Sequence, residues 1–174
     1  MSVLIDTGIF FGFFSKRDVH HLDSIILLAH ALEGKWGRPY ITEHILDETL
    51  TLLKYKISVE CAVKFIEKFI ESNNVEILMT SEASINSALK LFRKIGKIKG
   101  FSFTDAVSVV TVKENKLDLL MTYDTYLSSL VKTINANYVH TLPKDEIQRI
   151  MNMSKTRMAT RRQQFGFSAP ITAL

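Results

Sequence analysis

The sequence predicts an α/β protein, a three-layer α/β/α sandwich around a mostly parallel sheet of about five strands. Short apolar runs alternate along the chain with longer segments of helical periodicity. The runs are nearly continuous in apolar residues, which is typical of strands that helices cover on both faces. Strands separated by helices pair in parallel, because each helix carries the chain back to the same end of the sheet.

The first half of the chain is predicted to supply three strands. The run SVLID, residues 2–6, is apolar up to its final acid, and the apolar segment TGIFFGFFSK after it predicts a short helix. Residues 18–32 repeat apolar side chains at helical spacing until Gly34 and Gly37 end the pattern. The remaining predicted elements of this half are a strand over 39–42, helices over 42–57 and 59–71, and a strand over 75–79.

The second half is predicted to add two strands. A helix over residues 81–95 leads into the basic loop RKIGKIKG, whose two glycines interrupt the helical pattern. The elements that follow are a helix over 104–114, a strand over 117–122, a short helix over 125–131 and a fifth strand, NYVHTL, over 137–142. Pro143 closes the alternation, and a polar helix over 145–153 and a tail follow it.

Composition bounds the domain organisation. The chain has 174 residues, 47 % of them apolar, and one cysteine, which suits one folded domain without an internal disulfide. We expect a core domain over residues 1–143 and a basic helical extension over 144–174. That extension holds six basic and two acidic residues, so the net charge of +4 lies there. Such a tail contacts nucleic acid or an acidic partner, or it serves as a solubilising tail.

The sequence predicts a soluble, cytoplasmic protein with no membrane segment. The N-terminus lacks the basic and apolar regions of a signal peptide. The apolar stretch SIILLAHAL is interrupted by His30 and is too short to cross a bilayer.

Polar side chains follow the predicted strands at the points where the strands end. Asp6 and Thr7 come after the first strand, and Thr122 and Asp124 come after the fourth. Asp105 opens the helix that leads to the fourth strand. Because ligands of open parallel sheets bind beyond the carboxyl ends of the strands, we expect these side chains to share one edge.

The helix after the second strand brings further acids towards the same edge. Glu43 lies in its first turn, and Asp47 and Glu48 lie one turn further on. Leu52 and Tyr55 follow Glu48 at i+4 and i+7, so Glu48 borders the apolar face of the helix. Glu48 is therefore the preferred candidate, and Asp47 is its competitor.

Clustered carboxylates indicate a cation site. Unpaired carboxylates repel one another and are costly to bury, and a divalent cation resolves both problems. Hard oxygen ligands suit Mg²⁺ or Mn²⁺, and one or two such ions can activate a water molecule for phosphodiester cleavage. The zinc motifs HExxH and CxxC are absent from the sequence.

Each acid also has a purely structural interpretation. Asp6 and Asp124 precede predicted helices and suit the N-cap position. The sequence Ser102-Phe103-Thr104-Asp105 fits a capping box in which Asp105 takes the role of the usual glutamate. The residues alone leave both interpretations open, although caps that converge from separate strand ends favour a site.

Four segments of the chain resemble the PIN-domain ribonucleases, the VapC toxins of toxin–antitoxin pairs among them. They are VLIDTGIFFGFF, ITEHILDETLTLL, SFTDAVSVVTVKENKLDLLMTYDTYL and YVHTLP, and in order and spacing the resemblance covers about residues 2–143. The block from FTDA to the acid of MTYD is its most specific part. The resemblance implies a PIN-like fold and a ribonuclease that hydrolyses RNA with Mg²⁺ or Mn²⁺.

The same resemblance implies roles for individual residues. The catalytic and metal-binding acids would be Asp6, Glu48, Asp105 and Asp124. Thr7 and Thr122 match hydroxyl positions that bracket the acids in the family. Basic side chains would hold the RNA backbone, and the candidates are Arg93, Lys94, Lys97, Lys99, Arg157, Arg161 and Arg162.

The resemblance also implies partners. Family members often form homodimers, and the toxins pair with a small antitoxin protein. This chain continues beyond the last predicted strand, over residues 144–174, whereas the small toxins end soon after it. That extension could bind RNA, cover the site or exchange with a partner subunit. A ribonuclease that processes cellular RNA, and a PIN-like scaffold that binds RNA or protein without cleaving, are the alternative functions.

Overall fold

The protein is described by a computed structural model that covers residues 1–153. The chain divides into two compact units, Met1–Thr141 and Leu142–Leu174. In the second unit, the described part contains a helix over residues 144–153.

The first unit contains a five-stranded sheet with helices along it. The strands are β1 (Ser2–Ile5), β2 (Arg38–Thr42), β3 (Glu76–Leu78), β4 (Leu119–Met121) and β5 (Thr133–Ile134). The α-helices are α1 (Thr7–Phe14), α2 (His21–Leu32), α3 (Glu43–Lys56), α4 (Val59–Phe65), α5 (Glu82–Ile95), α6 (Phe103–Glu114) and α7 (Ala136–His140). A π-helical segment, Ile66–Ile70, extends α4, and a 3₁₀ helix, Thr125–Ser129, follows β4.

The sheet confirms the predicted α/β sandwich with a parallel sheet. All four strand pairings are parallel, and the spatial order is β3-β2-β1-β4-β5. The chain therefore builds outward from β1 on one side and then returns to add β4 and β5 on the other. A ligand crevice forms in such sheets where the order reverses, beyond the carboxyl ends of the two adjacent strands. Here those strands are β1 and β4.

Burial explains why the strand segments are continuously apolar. Val3, Leu4 and Ile5 of β1 have no exposed surface, because the central strand is covered on both faces. Helix α6 is buried along most of its length, from Asp105 to Val112. Its position holds the first turn of α6 close to the strand ends, as the hydrogen bonds described below show.

The predicted fifth strand over residues 137–142 is wrong. Residues Ala136–His140 form the short helix α7, and the fifth strand is Thr133–Ile134. The side chain of Asn135 accepts a hydrogen bond from the N–H of Asn137, which caps the helix and ends the extended backbone. The apolar pair in NYVHTL resembles a strand in sequence, although Val139 is buried from a helix.

Two helices differ from prediction in detail. Helix α2 begins at His21 rather than at residue 18, because the side chain of Asp18 accepts a hydrogen bond from the N–H of His20 and holds a turn there. The helix predicted over 59–71 changes from α to π geometry at Ile66. Within residues 1–153, no helix combines the length and the apolar character that crossing a membrane requires.

Candidate active site

The four predicted acids line one cavity beyond the ends of β1 and β4. The cavity measures about 230 Å³, and its lining residues are Asp6, Thr7, Gly8, Glu48, Gly100, Ser102, Asp105 and Asp124. None of these eight residues is basic. We call this space the acidic cavity. Its acids come from four separate segments of the chain that the parallel sheet brings to one edge.

Asp6 lies where β1 passes into α1. Its N–H donates to the carbonyl of Met121, so the backbone pairing with β4 continues to this residue. The carboxylate accepts from the N–H of Thr7 at Oδ1 (2.8 Å) and from the hydroxyl of Thr122 at Oδ2 (2.7 Å). Both carboxylate oxygens are therefore fixed by groups that belong to the two central strand ends.

Burial raises the pKa of Asp6 to about 7. The hydroxyl of Thr122 and the N–H of Thr7 lower the pKa, whereas the negative charges of Asp105 and Glu48 raise it further. The net increase means that the protein alone compensates the charge of Asp6 incompletely. A cation bound in the acidic cavity would supply the missing compensation.

Glu48 reaches the cavity from α3. The side chain of Thr42 accepts from the N–H of Ile45 and caps the helix, which fixes where α3 begins at the end of β2. The carboxylate of Glu48 accepts from the hydroxyl of Thr7 at 2.7 Å. Asp47, its predicted competitor, is exposed and is not among the residues that line the acidic cavity.

Asp105 sits in the first turn of α6. The N–H of Ser102 donates to Oδ2 of Asp105 at 2.6 Å, and the N–H of Asp105 donates to Oγ of Ser102 at 3.0 Å, so the predicted capping box is present. Asp105 is only 8 % exposed. Burial raises the pKa of its carboxyl and Asp124 raises it as well, against the hydrogen bonds from Ser102.

Asp124 follows β4 and begins the 3₁₀ helix. Its N–H donates to the hydroxyl of Thr122 at 3.1 Å, and its carboxylate accepts from the N–H of Tyr126 at 2.9 Å. Thr122 is fully buried, so one hydroxyl contacts both Asp6 and Asp124 from beneath the cavity. The two threonines predicted to bracket the acids thus contact three of them: Thr7 contacts Asp6 and Glu48, and Thr122 contacts Asp6 and Asp124.

Capping and membership of the cavity coincide at three of the acids. Asp6, Asp105 and Asp124 each accept a backbone hydrogen bond at a helix start and also line the acidic cavity. The capping bonds fix each carboxylate in position, because they restrict its rotation. The structural and the chemical interpretations of these residues are therefore compatible.

The donor set of the acidic cavity fits a hard divalent cation. Four carboxylates supply oxygen ligands, and the cavity has hydroxyls but no histidine or cysteine among its lining residues. Mg²⁺ and Mn²⁺ prefer such oxygen ligands, and Zn²⁺ usually takes nitrogen or sulfur. The arrangement can therefore hold one or two cations and the water molecules bound to them.

The predicted basic candidates fall into two groups. Arg93 and Lys94 lie in the last turn of α5, and Lys97 and Lys99 lie in the loop after it, all with exposed side chains. This loop ends at Gly100, which has φ +91° and lines the acidic cavity. Arg157, Arg161 and Arg162 lie outside the described residues.

Two lining residues were not foreseen as part of a site. Ser102 was predicted only as a cap, and Gly8 was not considered. A β-carbon at Gly8 would lie 4.0 Å from Oδ2 of Asp6, which is ordinary contact. The sequence signal for Gly8 is its position in DTG, two residues after the first acid, and that signal is weak by itself.

Comparisons with known proteins agree with the fold and the site. The family model described as PIN domain matches residues 3–132. A protein of Archaeoglobus fulgidus called VapC ribonuclease is 50 % identical over 150 residues, which cover 86 % of this chain and 93 % of that protein.

Solved structures are similar in fold at low sequence identity. Mycobacterium tuberculosis VapC20, described as a toxin that cleaves the sarcin–ricin loop, aligns with a TM-score of 0.64 at 20 % identity and covers 73 % of this chain and 93 % of its own. VapBC2 of Rickettsia felis, bound to a DNA fragment from its promoter, aligns with a TM-score of 0.56 at 16 % identity and covers 78 % and 98 %. The predicted family is confirmed: the chain belongs to the PIN-domain family, in its VapC ribonuclease branch.

Proposed function

We propose that this protein is a metal-dependent endoribonuclease that hydrolyses RNA phosphodiester bonds in the acidic cavity. The observation that carries the proposal is the convergence of Asp6, Glu48, Asp105 and Asp124 on one cavity without a basic lining residue. Membership of the VapC ribonuclease branch supports the reaction and the RNA substrate.

The proposed cofactor is Mg²⁺ or Mn²⁺, held by the same four acids. When bound, such a cation lowers the pKa of a coordinated water and offsets negative charge that develops on the phosphate. The chain supplies ligand atoms that are free to bind it. Oδ1 of Asp105 and Oδ2 of Asp124 have no hydrogen-bond partner among residues 1–153, because only the other oxygen of each accepts a capping bond.

The threonines act as positioning residues in this proposal. Thr7 donates from its N–H to Asp6 and from its hydroxyl to Glu48, so one residue sets the relative position of two carboxylates. Thr122 links Asp6 to the backbone of Asp124 in the same way. Hydrogen bonds of this kind orient metal ligands and increase metal affinity.

Basic residues beside the cavity would hold the RNA backbone. Arg93, Lys94, Lys97 and Lys99 carry four positive charges on the segment that leads to Gly100 at the cavity. Contacts between such side chains and phosphate give affinity without choosing a sequence. Arg157, Arg161 and Arg162 of the extension remain predicted RNA contacts.

The biological role proposed here is that of the toxin of a toxin–antitoxin pair, acting on cytoplasmic RNA as a homodimer with a small antitoxin partner. The relatives named VapC and VapBC support this role. A housekeeping ribonuclease is the second candidate, and the extension beyond residue 143 is the feature that favours it. Induced expression separates the two roles: a toxin arrests growth, the Asp6→Asn variant does not, and co-expression of an antitoxin encoded beside the gene restores growth.

The reaction itself is tested by incubating the protein with RNA and Mg²⁺ or Mn²⁺. We expect cleavage by the wild type, no cleavage in EDTA, and loss of at least 100-fold in rate for Asp105→Asn, on the order expected for removal of a charged ligand. Cleavage in EDTA at an undiminished rate would contradict metal dependence. Absence of both cleavage and Mn²⁺ binding would favour the alternative of an RNA- or protein-binding scaffold.

A further inference from the structure

A second cavity lies next to the acidic cavity in the chain. It measures about 500 Å³, and its lining residues are Thr125, Ser128, Thr133, Ile134, Asn135, Asn137 and Tyr138. We call it the neutral cavity. Its volume is within the range of about 300–1,000 Å³ that small-molecule sites occupy.

The neutral cavity lies at the same edge of the sheet as the acidic one. Asp124 lines the acidic cavity and Thr125, the next residue, lines the neutral cavity. Thr122, between β4 and Asp124, donates its N–H to the carbonyl of Ile134 at 3.1 Å. Ile134 ends β5 and lines the neutral cavity, so the strand that positions the acids also borders this second space.

The two cavities differ in chemistry. The neutral cavity has hydroxyl and amide side chains, one isoleucine and one tyrosine, and none of its seven lining residues is charged. Without carboxylates it does not suit a divalent cation, and without a basic side chain it does not suit a phosphate. Neutral hydrogen-bonding groups beside an aromatic ring are the groups that recognise nucleobases.

One amide in this cavity is free to recognise a ligand. The side chain of Asn135 accepts from the N–H of Asn137 at 2.9 Å and is occupied in capping α7. The side-chain amide of Asn137 is exposed, and it has no hydrogen-bond partner within the described chain. An asparagine amide offers one donor and one acceptor side by side, which matches the edge of a base.

The wall beside Asn137 is held in place. The hydroxyl of Tyr138 pairs with Nδ1 of His30 at 2.7 Å, and its ring packs edge-on against Trp36 with centroids 5.1 Å apart. The ring therefore keeps one position whether or not a ligand is present. A fixed ring reduces the conformational entropy lost on binding.

We propose that the neutral cavity binds one nucleobase of the RNA beside the cleaved bond, and that Asn137 selects this base by hydrogen bonding. The inference rests on the proposed ribonuclease function and deepens it. The basic residues then supply affinity for any RNA, the acidic cavity supplies the chemistry, and the neutral cavity supplies a preference at one position.

Cleavage of a panel of short RNAs that differ at single positions around the cleaved bond tests this inference. We expect the wild type to prefer one base at one position by kcat/KM. Asn137→Ala lowers that preference by about tenfold, the scale of one amide–base pairing, and leaves Mn²⁺ affinity unchanged. Thr133→Val, which removes a lining hydroxyl and keeps the shape, weakens the preference in the same direction.

The matched control is Asn86→Ala, which removes an exposed amide on α5 outside both cavities. It should leave the preference unchanged. A wild type without base preference would overturn the inference, as would a full preference in both Asn137→Ala and Thr133→Val.

A second measurement is independent of cleavage. The four nucleosides are titrated into the wild type in EDTA while NMR follows the side-chain amide of Asn137. A saturable shift of that amide with one nucleoside supports the inference, and no shift with any of them overturns it. If the wild type fails to cleave RNA, the ribonuclease proposal fails, and this titration still decides the neutral cavity.

Discussion

The hydroxyl of Thr7 donates a hydrogen bond of 2.7 Å to the carboxylate of Glu48, and so joins α1 to α3 across 41 residues of sequence. The same residue donates its N–H to Asp6. Thr7 is 6 % exposed, so these bonds are made away from bulk water, where hydrogen bonds to a charged group are strong. Two carboxylates of the acidic cavity therefore depend on one threonine for their relative position.

Thr7→Val should weaken the site without unfolding it. Valine keeps the shape and the N–H to Asp6 but removes the hydroxyl that holds Glu48, so we expect Mn²⁺ affinity and cleavage rate to fall by about tenfold. Calorimetric titration with Mn²⁺ and a cleavage assay measure the two effects. The matched control is Thr51→Val on the exposed face of α3, which should change neither.

Two neighbouring acids on α3 should respond in opposite ways. Glu48 lines the acidic cavity and Asp47 does not, so Glu48→Gln should lower Mn²⁺ affinity and cleavage by tenfold or more, whereas Asp47→Asn should change them little. Both variants remove one negative charge from the same helix, which cancels general electrostatic effects. Equal losses in the two variants would contradict the assignment of Glu48.

The stability of the metal-free protein should depend on pH through Asp6. Its pKa is about 7 in the folded protein and 3.8 ordinarily, so between these pH values the folded state binds more protons than the unfolded state. The free energy of unfolding therefore falls as pH rises through this window. Asp6→Asn removes this contribution, so the variant should gain stability relative to the wild type as pH rises.

Urea unfolding in EDTA at pH 4 and pH 8 measures that difference. At about 1.4 kcal/mol per pKa unit, the relative gain of Asp6→Asn is at most about 4 kcal/mol. Adding Mn²⁺ at pH 8 should stabilise the wild type more than the variant, because the cation needs the ionised carboxylate. A difference between the two proteins that does not change with pH would show that Asp6 is ionised normally.

The lysines before Gly100 should contribute affinity that depends on salt. For Lys97→Ala combined with Lys99→Ala, in the inactive Asp6→Asn background, we expect weaker RNA binding for every sequence and a salt dependence reduced by a slope of about 1. Mn²⁺ affinity should not change. Lys64→Ala on α4, an exposed lysine outside this loop, is the matched control and should leave the salt slope unaltered.

The sequence predicted the fold because its signals were local and consistent. Each strand that carries an acid was an apolar run before a capping residue, and those patterns survive in the fold: β1 ends before Asp6, and β4 ends before Thr122 and Asp124. Asp105 was ambiguous in sequence because its capping box alone explains it. Only the tertiary structure brings it into the same cavity as Asp6.

The end of the core domain was harder to predict. The fifth strand is only Thr133–Ile134, too short for a periodic pattern, and its pairing with Leu120 and Met121 is a tertiary contact. The pair Tyr138 and Val139 suggested a strand, whereas the cap at Asn135 makes it a helix. This error also concealed the neutral cavity, whose lining residues Asn135 and Asn137 approach each other only around that cap.

A crystal of the wild-type protein soaked in Mn²⁺ tests the central claim most directly, through anomalous diffraction at the manganese edge. The account predicts a peak in the acidic cavity within ligand distance, about 2.0–2.3 Å, of carboxylate oxygens that include those of Asp6 or Asp105. No peak in this cavity, at a Mn²⁺ concentration that supports RNA cleavage in solution, would contradict it.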